Sequence, residues 1–135
     1  MEIKDSKFYR DKCYINGEWV NADSGETISV NNPANLKEIG TVPKCGTSET
    51  RNAIEAANNA WPEWRAKSAR QRSEILRKWF DLMIENKEEL AQIMTVEQGK
   101  PINESRGEIG YGASFVEWFS EEAKRVYGDT IPDPM

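Results

Sequence analysis

The sequence predicts an α+β chain, a small antiparallel β region followed by about four helices. Three observations predict it. Asn16-Gly17 stands between the short runs Cys13–Ile15 and Glu18–Val20. That dipeptide supplies the two positive-φ residues a two-residue hairpin turn needs. Beyond residue 47, apolar side chains recur at helical spacing, and Ser68-Ala69-Arg70-Gln71 and Asn86-Lys87-Glu88-Glu89 read as capping boxes. Gly99 then suits the left-handed residue that closes one helix, and Pro101 the first turn of the next.

Taken in order, residues 1–12 are polar and read as a loosely held arm. The β region spans 13–43. After the hairpin, Asp23-Ser24-Gly25 breaks the chain, and Thr27, Ile28 and Val30 form a strand ended by Asn31-Asn32-Pro33. Glu38 to Pro43 is a fourth strand. Trp19 reads as a packing residue. The helical region spans 47–128. Thr47 is a candidate N-cap with Glu49 in the first turn. This helix is expected to run to Asn59 or Ala60, with Ala53, Ile54, Ala57 and Ala60 as a narrow apolar face. Trp61-Pro62-Glu63-Trp64 reads as a connector anchored by its tryptophans, because proline biases its predecessor away from helix. The next helix carries Ile75, Leu76, Trp79, Phe80, Met83 and Ile84. A third carries Leu90, Ile93 and Met94.

The last helix is expected over Ile102–Tyr127, with Gly128 and Pro132 as its stop. At about 100° per residue, Ile109, Ala113, Val116, Ala123 and Tyr127 share one face. Tyr111, Phe115 and Trp118 lie roughly opposite. A surface helix needs only one apolar stripe, so two stripes mean cover on both sides. Either the helix is sandwiched in a core, or the aromatic stripe walls a path for a ligand. In a chain this short both stripes cannot be covered. The aromatic one is expected to be exposed, or buried against another copy. Gly107, Gly110 and Gly112 each cost about 1 kcal/mol relative to Ala in a helix, which predicts close approach to that backbone.

Composition bounds the function. The chain has 135 residues, a net charge of −5 and 30% charged residues. Its mean hydropathy of −0.75 is low for a chain that must build its own core. An acidic chain with no basic run does not predict a nucleic-acid surface. No stretch reads as a secretory signal or a membrane span, so a cytoplasmic location is expected. There are two cysteines and no histidine. Cys13 and Cys45 leave one disulfide or two thiols open. A conventional zinc site is not expected from two thiols without histidine.

Candidate chemistry is sparse. Cys45 precedes a helix start, where the helix dipole favours a thiolate, but no histidine exists to act as its base. Gly107-x-x-Gly110-x-Gly112 has the wrong order and no preceding strand for a dinucleotide loop. Arg65, Lys67, Arg70 and Arg72 read as a solvated basic face, with phosphate binding as the alternative. Lys100–Glu104 and Glu121–Arg125 are expected as i,i+4 pairs. Glu117 lies beside the aromatic stripe and reads as structural.

E-Q-G-K-P at Glu97–Pro101, followed by F-V-E-W-F-S-E-E-A-K-R-V-Y-G-D-T-I-P at Phe115–Pro132, resembles the aldehyde dehydrogenase family. Within it the succinate-semialdehyde dehydrogenase branch is the nearest likeness. Y-I-N-G-E-W-V at Tyr14–Val20, N-N-P-A-N at Asn31–Asn35 and I-L-R-K-W-F at Ile75–Phe80 extend the likeness over nearly the whole chain. The resemblance implies the N-terminal part of a three-layer α/β fold, with residues 13–135 as the first segment of the cofactor-binding domain. It implies oxidation of an aldehyde through a cysteine thiohemiacetal, with NAD or NADP as hydride acceptor, in a homo-oligomer. It places nucleophile, general base, oxyanion-hole and cofactor residues beyond Met135. No catalytic, cofactor-binding or metal residue is therefore expected here, and the chain alone is expected to be inactive and to bind no cofactor. The helix Ile102–Tyr127 would border the aldehyde's tunnel, with Tyr111, Phe115 and Trp118 as candidate walls. Any cation for a substrate carboxylate would come from outside the chain, since Arg106 and Arg125 lie off that stripe. The rival reading is a non-catalytic helical module that assembles with a separate chain.

Overall fold

The computed structural model describes residues 3–133. Two separate antiparallel hairpins precede four α-helices. β1 (Cys13–Ile15) pairs with β2 (Glu18–Val20), Tyr14 opposite Trp19. Asn16 and Gly17 take φ values of 53° and 84°, as the turn requires. Trp19 packs on Tyr14, ring centroids 5.1 Å apart, and lies under the Arg10 guanidinium. β3 (Thr27–Asn31) pairs with β4 (Glu38–Pro43), with an irregularity at Val30/Asn31 just before the predicted breaker.

α1 runs unbroken from Thr47 to Ala66, with Pro62 inside it. The expected connector at Trp61–Trp64 is therefore helix. Proline removes one backbone donor, so the Asn58 carbonyl loses its intrahelical partner. Asn58 is exposed, and water can satisfy that carbonyl. The N-cap is Gly46 rather than Thr47. The expected apolar face is uncovered, since Ile54, Ala57 and Ala60 are exposed.

Ser68 caps α2 (Ala69–Glu85) as predicted: its hydroxyl accepts from the Gln71 N–H at 3.3 Å and the Gln71 side chain accepts from the Ser68 N–H at 2.8 Å. Asn86 both ends α2 and starts α3 (Lys87–Gln98), but makes no capping bond. Its amide donates back to the Leu82 carbonyl at 2.7 Å. Glu89, the residue that would close the box, and its neighbour Glu88 are used elsewhere. Glu88 grips Arg106 on the next helix, and Glu89 accepts from the Ser6 hydroxyl at 2.6 Å. The arm is thus held: Ile3 and Ser6 are buried, and a 3-10 turn forms over Ile3–Asp5. Residues 1 and 2 lie outside the described residues. Gly99 closes α3 at φ 79° with the Pro33 ring against it.

α4 (Ile102–Glu122) packs against α2 and α3. Ser105, Ala113 and Ser120 are buried on one side, and Ser105 bonds Thr95 across the α3–α4 crossing at 2.8 Å. The helix ends five residues early. A 3-10 turn over Ala123–Arg125 breaks the period, so Tyr127 is 81% exposed instead of on the inner face. Eclipsed i,i+3 spacing in that turn also replaces the expected Glu121–Arg125 pair with Glu121–Lys124 and Glu122–Arg125. Lys100 precedes the helix, off its lattice, and reaches Glu108 rather than Glu104. The glycine expectation also fails among the described residues. A Cβ at Gly107 would meet nothing within 4 Å, at Gly110 only the flexible Lys87 tip, and at Gly112 Met83 at ordinary contact.

The buried apolar side chains described are few and mostly small: Ile3, Ala22, Pro43, Ala91 and Ala113. The accessible surface is 10180 Å², whereas a compact monomer of this mass exposes roughly 7,200 Å². The excess, roughly 3,000 Å², is well above the roughly 800 Å² that one partner contributes to a standard interface. No described helix is long and apolar enough to cross a membrane.

Candidate functional site: the aromatic face of α4 and the Glu49 junction

Helical spacing puts Tyr111, Phe115 and Trp118 on one side of α4. They are 66%, 47% and 65% exposed. Tyr111 meets Phe115 edge to face, centroids 4.8 Å apart. Phe115, Trp118 and Phe119 line an open recess of about 870 Å³, and Arg77 from α2 and Arg125 from beyond the end of α4 also line it. Two of the three sequence-chosen rings thus share one recess, and Tyr111 joins through Phe115.

The expectation that Arg125 lies off this face is corrected, since it lines the recess. Arg77 was not foreseen, because a wheel drawn on one helix shows nothing of the neighbouring one. Neither guanidinium is free. Arg77 pairs with Glu117 at 3.2 Å and Asp81 at 3.4 Å, and Arg125 pairs with Glu122. Glu117 is therefore an ion-pair partner, the structural role read from the sequence. The basic cluster is likewise occupied at its two middle members, by Lys67–Glu63 and Arg70–Glu74, and Arg72 donates to the Lys67 carbonyl.

A second junction lies at the N-terminus of α1. Glu49 is 6% exposed. Its carboxylate accepts from the Asp23 N–H at 2.7 Å and the Gly46 N–H at 2.8 Å, with the Ser48 hydroxyl at 3.1 Å. These backbone donors, Asp23 foremost, hold its carboxyl at about 2 against an ordinary 4.5. The only local signal was Glu49 three residues after Gly46. The Asp23 partner, 26 positions away, left no local trace. Because the folded value is depressed, the stability it contributes is complete above pH 4.5 and is lost as pH falls toward 2. Glu49→Gln is expected to melt below the wild type at pH 7, with the gap closing as pH falls toward 2. Parallel melting-against-pH curves would contradict this.

Cys45 sits beside this junction, its sulfur 3.6 Å from that of Cys13. Burial pushes the Cys45 thiol up, and the Cys13 sulfur, Glu49 and Asp23 add to the push. The pull toward thiolate that a helix start exerts is outweighed here by desolvation and nearby acids. Gly107, Gly110 and Gly112 lie inside α4 rather than at a strand-to-helix turn. They do not make a phosphate cradle, and these residues do not fit a nicotinamide dinucleotide.

Residues 19–135 match the model of the aldehyde dehydrogenase family. Over 132 residues the chain is 63% identical to a glutarate-semialdehyde dehydrogenase of Pseudomonas putida, covering 98% of this chain and 28% of that one. It is 58% identical to the NADP(+) succinate-semialdehyde dehydrogenase of Escherichia coli, covering 98% and 27%. A crystal structure of succinate-semialdehyde dehydrogenase from Burkholderia pseudomallei superposes with a TM-score of 0.93 at 56% identity, over 98% of this chain and 27% of that chain. A betaine aldehyde dehydrogenase of Staphylococcus aureus, solved with NAD+, superposes at 0.92 with 28% identity, covering 98% and 27%. The chain thus spans about a quarter of the length of the relatives it matches, and its architecture is that of the N-terminal part of these enzymes. The chain belongs to the aldehyde dehydrogenase family.

Proposed function

We propose that this chain is the N-terminal portion of an NAD(P)-dependent semialdehyde dehydrogenase acting on a short aldehyde with a carboxylate at its far end. The observation that carries this is the identity contrast. The chain is 63% and 58% identical to glutarate- and succinate-semialdehyde dehydrogenases, against 28% to a betaine aldehyde dehydrogenase. The first two substrates are anionic, and the third carries a fixed positive charge. In this reading residues 1–12 are the arm and 13–135 open the cofactor-binding domain. The remaining polypeptide, together with other copies, covers the excess surface. The bound dinucleotide would accept hydride, and residues outside this chain would hold it. This segment's own contribution is steric. Tyr111, Phe115 and Trp118 wall the path of the aldehyde. A cation for its carboxylate comes from outside the chain, since Arg77 and Arg125 already hold carboxylates.

The test is a full-length enzyme carrying this segment, assayed for kcat/KM with succinate semialdehyde, glutarate semialdehyde and betaine aldehyde. The two anionic aldehydes are expected to be preferred by roughly a hundredfold, the scale on which buried charge complementarity discriminates. Equal or better turnover of betaine aldehyde would overturn the substrate class.

A further inference from the structure

We infer that Cys13 and Cys45 are a modification site, a dithiol pair that closes reversibly to an intramolecular disulfide. The two lie 32 positions apart in sequence, yet their sulfurs are 3.6 Å apart. They come from different elements, Cys13 opening β1 and Cys45 lying between β4 and the Gly46 cap of α1. Both are half-buried thiols, so a small oxidant can reach them. Their proximity is not that of metal ligands. Among the described residues no group of three His, Cys, Asp or Glu side chains is placed to hold an ion. Both neighbouring carboxylates are engaged, Glu49 by backbone donors and Asp23 by the Ser48 hydroxyl at 2.9 Å.

Closing the bond requires the sulfurs to approach to about 2.05 Å. β1 pairs only with β2 among the described residues, in a three-residue ladder. Such a hairpin can shift as a unit, and both cysteine side chains turn about a single torsion. The oxidant is a small-molecule disulfide such as oxidised glutathione. One protein thiolate attacks it, releasing one small thiol and leaving a mixed disulfide. The second protein thiolate attacks that bond and releases the other small thiol. One S–S bond breaks and one forms, the oxidant gains two electrons, and the two protein protons end on the released thiols. Whichever sulfur makes the first attack, the other, 3.6 Å away, resolves the adduct. The product ties the β1–β2 hairpin to the Glu49 junction.

The 135-residue chain is to be equilibrated with reduced and oxidised glutathione, in buffer and in denaturant, then alkylated and weighed. In buffer the product is expected to be about 2 Da lighter, with the Cys13 and Cys45 peptides joined. Its disulfide equilibrium constant is expected to exceed the denatured value by roughly tenfold or more, since only folding brings the thiols together. Cys13→Ser should instead stop at a glutathione adduct on Cys45. A full-length enzyme carrying this segment should yield the same joined peptides. Free alkylated thiols after oxidation of that enzyme, mixed adducts only, or equal constants with and without denaturant would each overturn the proposal.

Discussion

The purified 135-residue chain is expected to oxidise neither succinate semialdehyde nor glutarate semialdehyde with NAD+ or NADP+. Oxidation through a thiohemiacetal needs a thiolate, and Cys45 is pushed the other way by burial and by its acidic neighbours. It also needs a base with affinity for a proton near neutral pH. The carboxyls with resolved shifts move the wrong way for that task. Glu49 is held at about 2 by backbone donors, and Glu88 at about 2 by Arg106 and Gln92. The glycines that resemble a phosphate loop are wound into a helix. Catalytic parts act as a unit, and losing one already costs about 10⁴–10⁶ in kcat. The chain is therefore expected to give no reduced nicotinamide absorbance above the uncatalysed rate. Steady formation of NADH or NADPH by the pure chain would defeat this.

In a full-length enzyme carrying this segment, Phe115→Ala is expected to change KM or chain-length preference by roughly tenfold, the range for altered apolar contacts in a binding pocket. Thermal stability should move little. Phe115 is 47% exposed and touches Tyr111 edge-on at the rim of the recess. The rival outcome has a distinct size. A Phe buried by the rest of the enzyme would cost about 3–5 kcal/mol when cut to Ala. Steady-state kinetics with succinate and glutarate semialdehydes, alongside a melting curve, separate the two. A variant that melts far lower with unchanged preference shows that the rings are core.

What was legible in the sequence was what a few neighbouring residues decide. Asn16-Gly17 dictates its turn because both residues must be left-handed, and Ser68 with Gln71 forms a closed local exchange of bonds. The fourth strand, read as Glu38 to Pro43, has those bounds in the structure. Failures came where distant groups compete. Asn86 carries the same cap pattern as Ser68, but Ser6 takes Glu89, the one glutamate that would complete it, and the Asn86 amide turns back to the Leu82 carbonyl. Pro62 carries a strong breaker signal, yet it lies inside α1, where the carbonyl it deprives of a partner belongs to the exposed Asn58. Tyr127 was placed on the inner face by a period that stops at Glu122. The candidate site was half legible. The stripe of rings follows from helical spacing alone, whereas Arg77 comes from a helix 40 positions away. Lys100 and Arg125 chose their partners by the local winding of the backbone, which charge spacing does not reveal.

The clasp between Ser6 and Glu89 spans 83 positions. On a ribosome adding about 5–20 residues per second, Ser6 therefore precedes its acceptor by roughly 4–17 s. Helices and hairpins form in microseconds. Through that interval β1–β2, β3–β4, α1 and α2 can all take shape before the clasp can close. Closure of the clasp thus reports that α3 has been made, and the amide of Lys7, which also donates to Glu89, is a place to watch for it.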